Sequence, residues 1–397
     1  MQTPADWFPA LIRCGLTDAT LNLPVDFSLE GAARLAYQHH VSGVVYTALC
    51  RAGADMLSPV MRDLLTRTGR AVSVCETQTM ELDKLTAVFA QHGVDFLPLK
   101  GVILRSLYPD PSMREMGDVD ILIRVEQYPM IASIMEEMGY VFRTESDHEY
   151  IWKKPGLVTV ELHKHLIPSY NTDYYAYFGD GWERAVAVDG CPGRYTFSTE
   201  DTYVFLFAHF AKHYRAGGIG VKQVMDLWLY RQANGDMDTS YVASCLSQLR
   251  LDVFHRHVVA MLDVWFADGT PTPQTEELTR FIVDSGAYGT AQGHAQAEAL
   301  REAQLGTPVD KVQANKWRSA LFPPRSVIAA SWPVVDKVPL LLPFFWIVRG
   351  LRAVFFRRRS MKVRLNKVRD MTPQSIQTYE QRLQLVGLDF HGMEEQA

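Results

Sequence analysis

Several things are scarce in this 397-residue chain. Its five cysteines (Cys14, Cys50, Cys75, Cys191, Cys245) include no C-x-x-C pair. That excludes a zinc knuckle or a disulfide scaffold and fits a reducing compartment. No apolar run reaches the ~18 residues a transmembrane helix needs. The opening M-Q-T-P-A-D-W-F-P-A lacks the basic and apolar regions of a signal peptide, so a cytoplasmic location is expected. No G-x-S-x-G, Walker A or G-x-G-x-x-G motif supports a hydrolase, a P-loop enzyme or a dinucleotide binder. The net charge of −5 gives no overall pull toward nucleic acid. No internal repeat is present.

What is present is ordinary for a globular protein: 47% hydrophobic and 21% charged residues, with length for two or three domains. Residues 1–92 read as an N-terminal helical segment. Gly31 to Cys50 and Leu57 to Gln91 carry apolar residues at helical spacing, among them Leu64, Val72, Leu82, Leu85, Val88 and Phe89. Residues 93–197 read as a small mixed-sheet core. It comprises a strand at Val94–Leu99, a joint at Lys100-Gly101 and a helix from Val102 to Tyr108. A turn at Pro109-Asp110-Pro111-Ser112 leads to an Asp-bearing strand, and a helix from Gln127 to Met138 follows. Strands at Tyr140–Arg143, Tyr150–Lys153 and Val158–His163 complete the core. Residues 198–284 read as a helical domain closing a cleft, with helices at Thr199–Tyr214, Val221–Gln232, Thr239–Phe266 and Thr275–Val283. Residues 285–397 form a C-terminal extension whose Gly-, Ala-, Gln- and Glu-rich start, 285 to 310, reads as a mobile connection. The expected class is α+β: a small mixed sheet between N-terminal helices and a larger helical C-terminal region.

The chemistry concentrates in Lys100 to Val125 and Val158 to His163. Asp118 and Asp120 are one residue apart ahead of Ile121-Leu122-Ile123, so a strand would project both to one face, with Val119 and Ile121 toward a core. Adjacent carboxylates repel unless a cation or a shared proton relieves them. Mg²⁺ takes one or two carboxylates together with substrate phosphates. In the second alternating strand Thr159, Glu161 and His163 share one face; Val158, Val160 and Leu162 share the other.

The ordered set resembles the nucleotidyltransferase superfamily of the polymerase-β type, and more closely a bacterial group of uncharacterised nucleotidyltransferases. The residues that carry it are Leu99-Lys100-Gly101, Tyr108-Pro109-Asp110, Arg114 to Leu122, Val160 to His163, Ala211-Lys212-His213 and Asp226. It covers roughly residues 80 to 350. The wider superfamily has Gly-Gly or Gly-Ser at the joint, where this chain has Lys100-Gly101. The resemblance implies two Mg²⁺ (or Mn²⁺) ions held by Asp118, Asp120 and Glu161, and transfer of a nucleoside monophosphate from a nucleoside triphosphate such as ATP to a hydroxyl-bearing acceptor. A small molecule, a peptide, a protein and RNA are all acceptors within its reach. It implies nucleotide contacts at Lys100, Gly101, Arg114, Lys212 and His213, and supporting roles for His163 and Asp226.

Each residue has a plainer reading beside this one. Lys100 would salt-bridge a local acid, and Arg114 would pair with Glu115 or Asp110. Asp226 would cap a helix or pair with Lys222, and His163 would make a structural hydrogen bond. His209 and His213 have the i, i+4 spacing of zinc ligands but lack a third partner. Two alternatives to the enzyme stay open: a nucleotide-binding regulator without turnover, and an RNA-directed, tRNA-like nucleotidyltransferase.

The C-terminal part is asymmetric in charge. Arg349, Arg352, Arg357, Arg358, Arg359, Lys362, Arg364, Lys367 and Arg369 are nine bases without an acid among them except beyond Arg369. Taking nine from the 40 Lys and Arg leaves 31 against 45 acids elsewhere. The apolar run Val338–Val348 precedes them. Together, residues 338–369 would suit an anionic membrane surface or RNA phosphates, giving a protein peripheral to the membrane in the first case.

Overall fold

Alternation of apolar residues along two neighbouring strands sets the geometry of the core. In the computed structural model, residues 3–23, 27–304, 306–329, 332–356, 369 and 371–390 are described. Five strands, β1 (Phe96–Pro98), β2 (Val119–Ile123), β3 (Val141–Glu145), β4 (Glu149–Lys154) and β5 (Val158–His163), form one mixed sheet in the order β1-β2-β5-β4-β3. Only β2 and β5 run parallel; their register sets Val119 opposite Val160, Asp120 opposite Glu161 and Leu122 opposite His163. A two-stranded ribbon, β6 (Val186–Ala187) and β7 (Tyr195–Thr196), forms a second, smaller sheet beside β1, where the Phe96 N–H donates to the Gly193 carbonyl at 2.8 Å.

One face of the sheet is a continuous apolar layer. Val119, Ile121, Ile123, Val158, Val160 and Leu162 bury against Leu85 and Phe89 of a long helix and against Ile131, Ile134 and Met135 of another. These helices are α4 (Pro59–Gln91) and α6 (Tyr128–Glu137), numbered after α1 (Pro4–Leu16), α2 (Leu29–His39), α3 (Ser42–Arg51) and α5 (Gly101–Leu104). All five residues of β2 are buried, as expected of a strand with a parallel neighbour and cover on both faces. Period-2 alternation therefore commits Asp120, Glu161 and His163 to the second face.

The chain falls into two compact units: residues 1–214 with 219–288, and residues 215–218 with 289–397. The first holds the sheet, α1 to α6, α7 (Thr172–Phe178), α8 (Thr199–Arg215) up to Tyr214, α9 (Val221–Ala233), α10 (Thr239–Gln248), α11 (Asp252–Phe266) and α12 (Pro273–Ser285). The second begins with α13 (Ala291–Gln304) and includes helices at Val309–Leu321, Leu342–Phe356 and Pro373–Leu385.

The α+β class is as expected, and several elements differ in detail. The expected helix from Gly31 to Cys50 is two, broken where His40 takes a left-handed backbone with φ 54°. The stretch from Thr239 to Phe266 is likewise two helices, parted near Arg250 at φ 55°. Past Leu104 the helix after the joint tightens to a 3₁₀ turn, Arg105–Leu107. Val72 does not join the buried stripe of α4 and is 40% exposed. The supposed mobile connection at 285–310 contains α13: its alanines are strong helix formers, and Ala295, Ala297 and Ala299 are buried. Gly293 of that helix has Gly217 against it, where a Cβ would stand 2.3 Å from the Gly217 carbonyl oxygen.

No helix among the described residues is long and apolar enough to cross a membrane. Of the basic run, Arg357, Arg358, Arg359, Lys362, Arg364 and Lys367 lie outside the described residues.

Candidate active site

The parallel register brings the three predicted acids together. Asp120 sits in β2 directly across from Glu161 in β5, and Asp118 immediately precedes β2. Burial first, and then Asp118 and Asp120, push the Glu161 carboxyl far above the usual carboxylate range. Burial and Asp120 also raise Asp118, against Lys100 and Lys222. Both carboxyls are thus harder to ionise than a free one. Asp120 behaves oppositely: burial would raise it, but Lys100 and His163 outweigh burial and hold it below the ordinary range. The Lys100 ammonium donates to Asp120 Oδ1 at 3.1 Å, and His163 Nε2 lies 2.8 Å from the same oxygen.

The joint that carries Lys100 is strained. Lys100 has φ 42° and ψ −109°, a region that favours glycine. The next residue is glycine for a packing reason: a Cβ on Gly101 would stand 2.3 Å from Met116 Sδ and 2.4 Å from Arg114 Nη1.

Lys212 extends from α8 into the influence of the same acids. Burial and then Lys100 pull its ammonium down to about 7, while Asp120, Glu149 and Glu161 push it back up. His213 lies beside it in sequence, its Nε2 3.1 Å from that of His209. His209 itself is pulled well below the usual imidazole range by burial and then by Lys100. Neither belongs to a cluster of three metal-binding side chains among the described residues.

Arg114 and Asp226 find each other rather than the partners read from sequence. Arg114 Nε and Nη2 donate to the two Asp226 oxygens, both at 2.8 Å, and the Tyr108 hydroxyl donates to Oδ1 at 2.7 Å. Both side chains are buried. The guanidinium fork is thereby committed, and the pair locks the loop before β2 to α9. Lys222, instead of pairing with Asp226, donates to the Glu115 carbonyl at 3.0 Å.

Sequence reasoning missed His148 and Glu149. With His163 they form a second cluster of donor atoms, beside that of Asp120, Glu161 and His163. The signal was the hairpin: antiparallel pairing of β4 with β5 sets Glu149 opposite His163.

The donor set fits a hard divalent cation. The carboxylates are oxygen donors, and their mutual repulsion, which raises Glu161, is what such a cation would relieve.

Acidic side chains thus gather on one face of a small mixed sheet, with the Lys100 ammonium bonded to one of them. Residues 26–267 match the family of uncharacterised nucleotidyltransferases, and the chain belongs to that family. No curated protein and no solved structure matches it.

Proposed function

We propose that this chain is a Mg²⁺- or Mn²⁺-dependent nucleotidyltransferase that moves a nucleoside monophosphate from a nucleoside triphosphate to a hydroxyl-bearing acceptor. The observation that carries the reading is the convergence of acids: Asp120 directly across from Glu161 on adjacent strands, with Asp118 immediately ahead of the first strand. In the reaction the acceptor oxygen attacks the α-phosphorus, and the bond to the bridging oxygen of the β-phosphate breaks. The products are the nucleotidylated acceptor and pyrophosphate.

Asp118, Asp120 and Glu161 are the residues that would hold the metal, which when bound supplies charge stabilisation for the attacking and leaving oxygens. Glu161, in its ionised form, would receive the acceptor's proton. His163 fixes the orientation of Asp120. Lys100 and Lys212 are the cations available to a polyphosphate; ammonium groups act there as point charges. Nucleotide contact by Gly101 and His213 belongs to the same reading. Arg114 and Asp226 serve it at one remove, by fixing the loop that leads into Asp118.

The intact set of acids favours an enzyme over a regulator without turnover. At the other end of the chain, Leu340, Phe344, Ile347 and Leu351 are exposed, the last three on one face of the helix Leu342–Phe356. That face, ahead of the basic run, favours an anionic membrane surface over RNA as the partner of residues 338–369. The location in this reading is the cytoplasm, at or near such a surface.

The test is pyrophosphate release from each nucleoside triphosphate with a panel of hydroxyl acceptors. Wild type is expected to release pyrophosphate with Mg²⁺, and Asp120→Asn to lower the rate by on the order of 10²–10³-fold or more with an unchanged circular dichroism spectrum. An Asp120→Asn protein as active as wild type would refute the proposal.

A further inference from the structure

We infer that a cleft beside Asp118 is the acceptor subsite and that it takes an anionic small molecule: a phosphate or carboxylate bearing a free hydroxyl. The inference rests on the transferase reading above. The cleft has a volume of about 570 Å³, within the roughly 300–1,000 Å³ of small-molecule sites. Met116 and Gly117, the two residues that precede Asp118, line it. The Tyr288 hydroxyl stands over Gly117. Through Gly117 the cleft adjoins Asp118 in the chain.

Its charge is what selects the ligand. Four cationic side chains, Arg67, Arg70, Arg105 and Lys222, line the cleft against two acids, Asp63 and Glu115. Asp63 is taken by Arg67 at 3.0 Å and by the Tyr37 hydroxyl. Glu115 accepts from the Ser42 backbone at 3.2 Å and lies 3.9 Å from His40. Among the described residues no carboxylate comes within ion-pair distance of Arg70, Arg105 or Lys222.

Arg105 is the telling one. It is 8% exposed, yet its guanidinium donates only to neutral oxygens: Gln78 Oε1 at 2.5 Å and the Cys75 carbonyl at 3.5 Å. Among the described residues its Nε has no hydrogen-bond partner. A buried cation without a counter-charge is costly, so residues of this kind are normally paired. Lys222, equally buried, uses its ammonium on a backbone carbonyl. An oxyanion in the cleft would supply the missing charge to Arg105, with Lys222 as a second cation beside it, and the guanidinium fork suits phosphate or carboxylate. Arg67 and Arg70, three residues apart on α4, put a second cation at the exposed edge.

The division of labour is spatial. Lys100 bonds Asp120. The cleft instead adjoins the Asp118 side, where Lys222 acts on Asp118. Donor polyphosphate and acceptor anion thus have separate cations.

The experiment uses the full chain and calorimetric titration with inorganic phosphate, and with acetate, in the presence of Mg²⁺ and a non-hydrolysable nucleoside triphosphate analogue. Phosphate is expected to bind, and Arg70→Glu and Lys222→Met each to weaken it about tenfold or more while Mg²⁺-dependent analogue binding persists. Acetate binding that responds to the same variants would place the acceptor among carboxylates; a response of phosphate alone would place it among phosphate esters. Arg70 is on the surface, so its variant keeps the test valid if Lys222→Met does not fold. Phosphate binding that is absent from wild type, or unchanged in Arg70→Glu, overturns the inference. So does joint loss of phosphate and analogue in Arg70→Glu, because the cleft would then hold the donor. Wild type that binds phosphate in the cleft but no triphosphate under any condition would instead overturn the transferase reading, and with it the acceptor role.

Discussion

Asp120 and Glu161 face each other across the one parallel strand pair of the five-stranded sheet. The pairing matters because a one-residue slip of either strand would turn its acid into the apolar layer. Val119, Ile121, Val160 and Leu162 on the opposite face prevent that slip, so the hydrophobic core fixes the register of the chemistry. The same register places His163 close enough to bond Asp120.

The joint between β1 and α5 yields the first prediction. Lys100 occupies a backbone conformation that glycine adopts without strain, while its ammonium bonds Asp120. Lys100→Gly and Lys100→Ala both remove the ion pair, but only the first removes the strain. Urea denaturation is expected to find the glycine variant more stable than the alanine variant by about 1 kcal/mol. Equal stabilities would mean that the positive φ carries no cost.

The Arg114–Asp226 pair yields the second. Both partners are buried, and each loses its charge compensation when the other is removed. Arg114→Met or Asp226→Leu alone should cost roughly 3–5 kcal/mol, and the double variant clearly less than the sum of the two. Strict additivity in a denaturation double-mutant cycle would show that the pair is not coupled.

The acids were legible in sequence because strand periodicity and carboxylate chemistry are local. D-x-D before I-L-I and V-T-V-E-L-H each announce a face. The partners of Arg114 and Asp226 were not legible, because the loop before β2 and helix α9 are brought together only by tertiary packing. Helix ends at His40 and Arg250 were missed for a related reason: each break is a single non-glycine residue in a left-handed conformation, with no Gly or Pro to mark it. The helix at Ala291–Gln304 was hidden because its small residues read as linker, whereas Ala295, Ala297 and Ala299 are buried by the packing of its own unit. The cleft beside Asp118 is assembled from α4, the turn after α5, α9 and Tyr288, a grouping that no local pattern encodes.

A third prediction concerns acid. His39 is buried, with Nε2 3.0 Å from the Val283 carbonyl and Nδ1 accepting from the Val221 backbone at 3.2 Å. Burial lowers its pKa from 6.5 to about 4. Between these values the unfolded chain binds more protons than the folded one. Stability should therefore rise with pH through this window and be lost as pH falls from 6.5 toward 4. His255, lowered to about 4 by burial, acts in the same direction. His39→Gln is expected to reduce the slope of stability against pH, measured by chemical denaturation at several pH values, by up to about one proton. An unaltered slope would show that His39 takes up its proton equally in the folded and unfolded chain.

The central claim is that the carboxylate cluster binds a nucleoside triphosphate together with a divalent cation, and thermal stability tests it most directly. A ligand that binds only the folded chain stabilises it by about 2.7 kcal/mol at a hundredfold excess over Kd. Melting of wild type and of the Asp118→Asn/Asp120→Asn double variant would be followed with each of four nucleoside triphosphates, with and without Mg²⁺. The account predicts a Mg²⁺-dependent rise in Tm for at least one triphosphate in wild type and none in the variant. An equal rise in the variant, or no rise in wild type with any triphosphate, would contradict it.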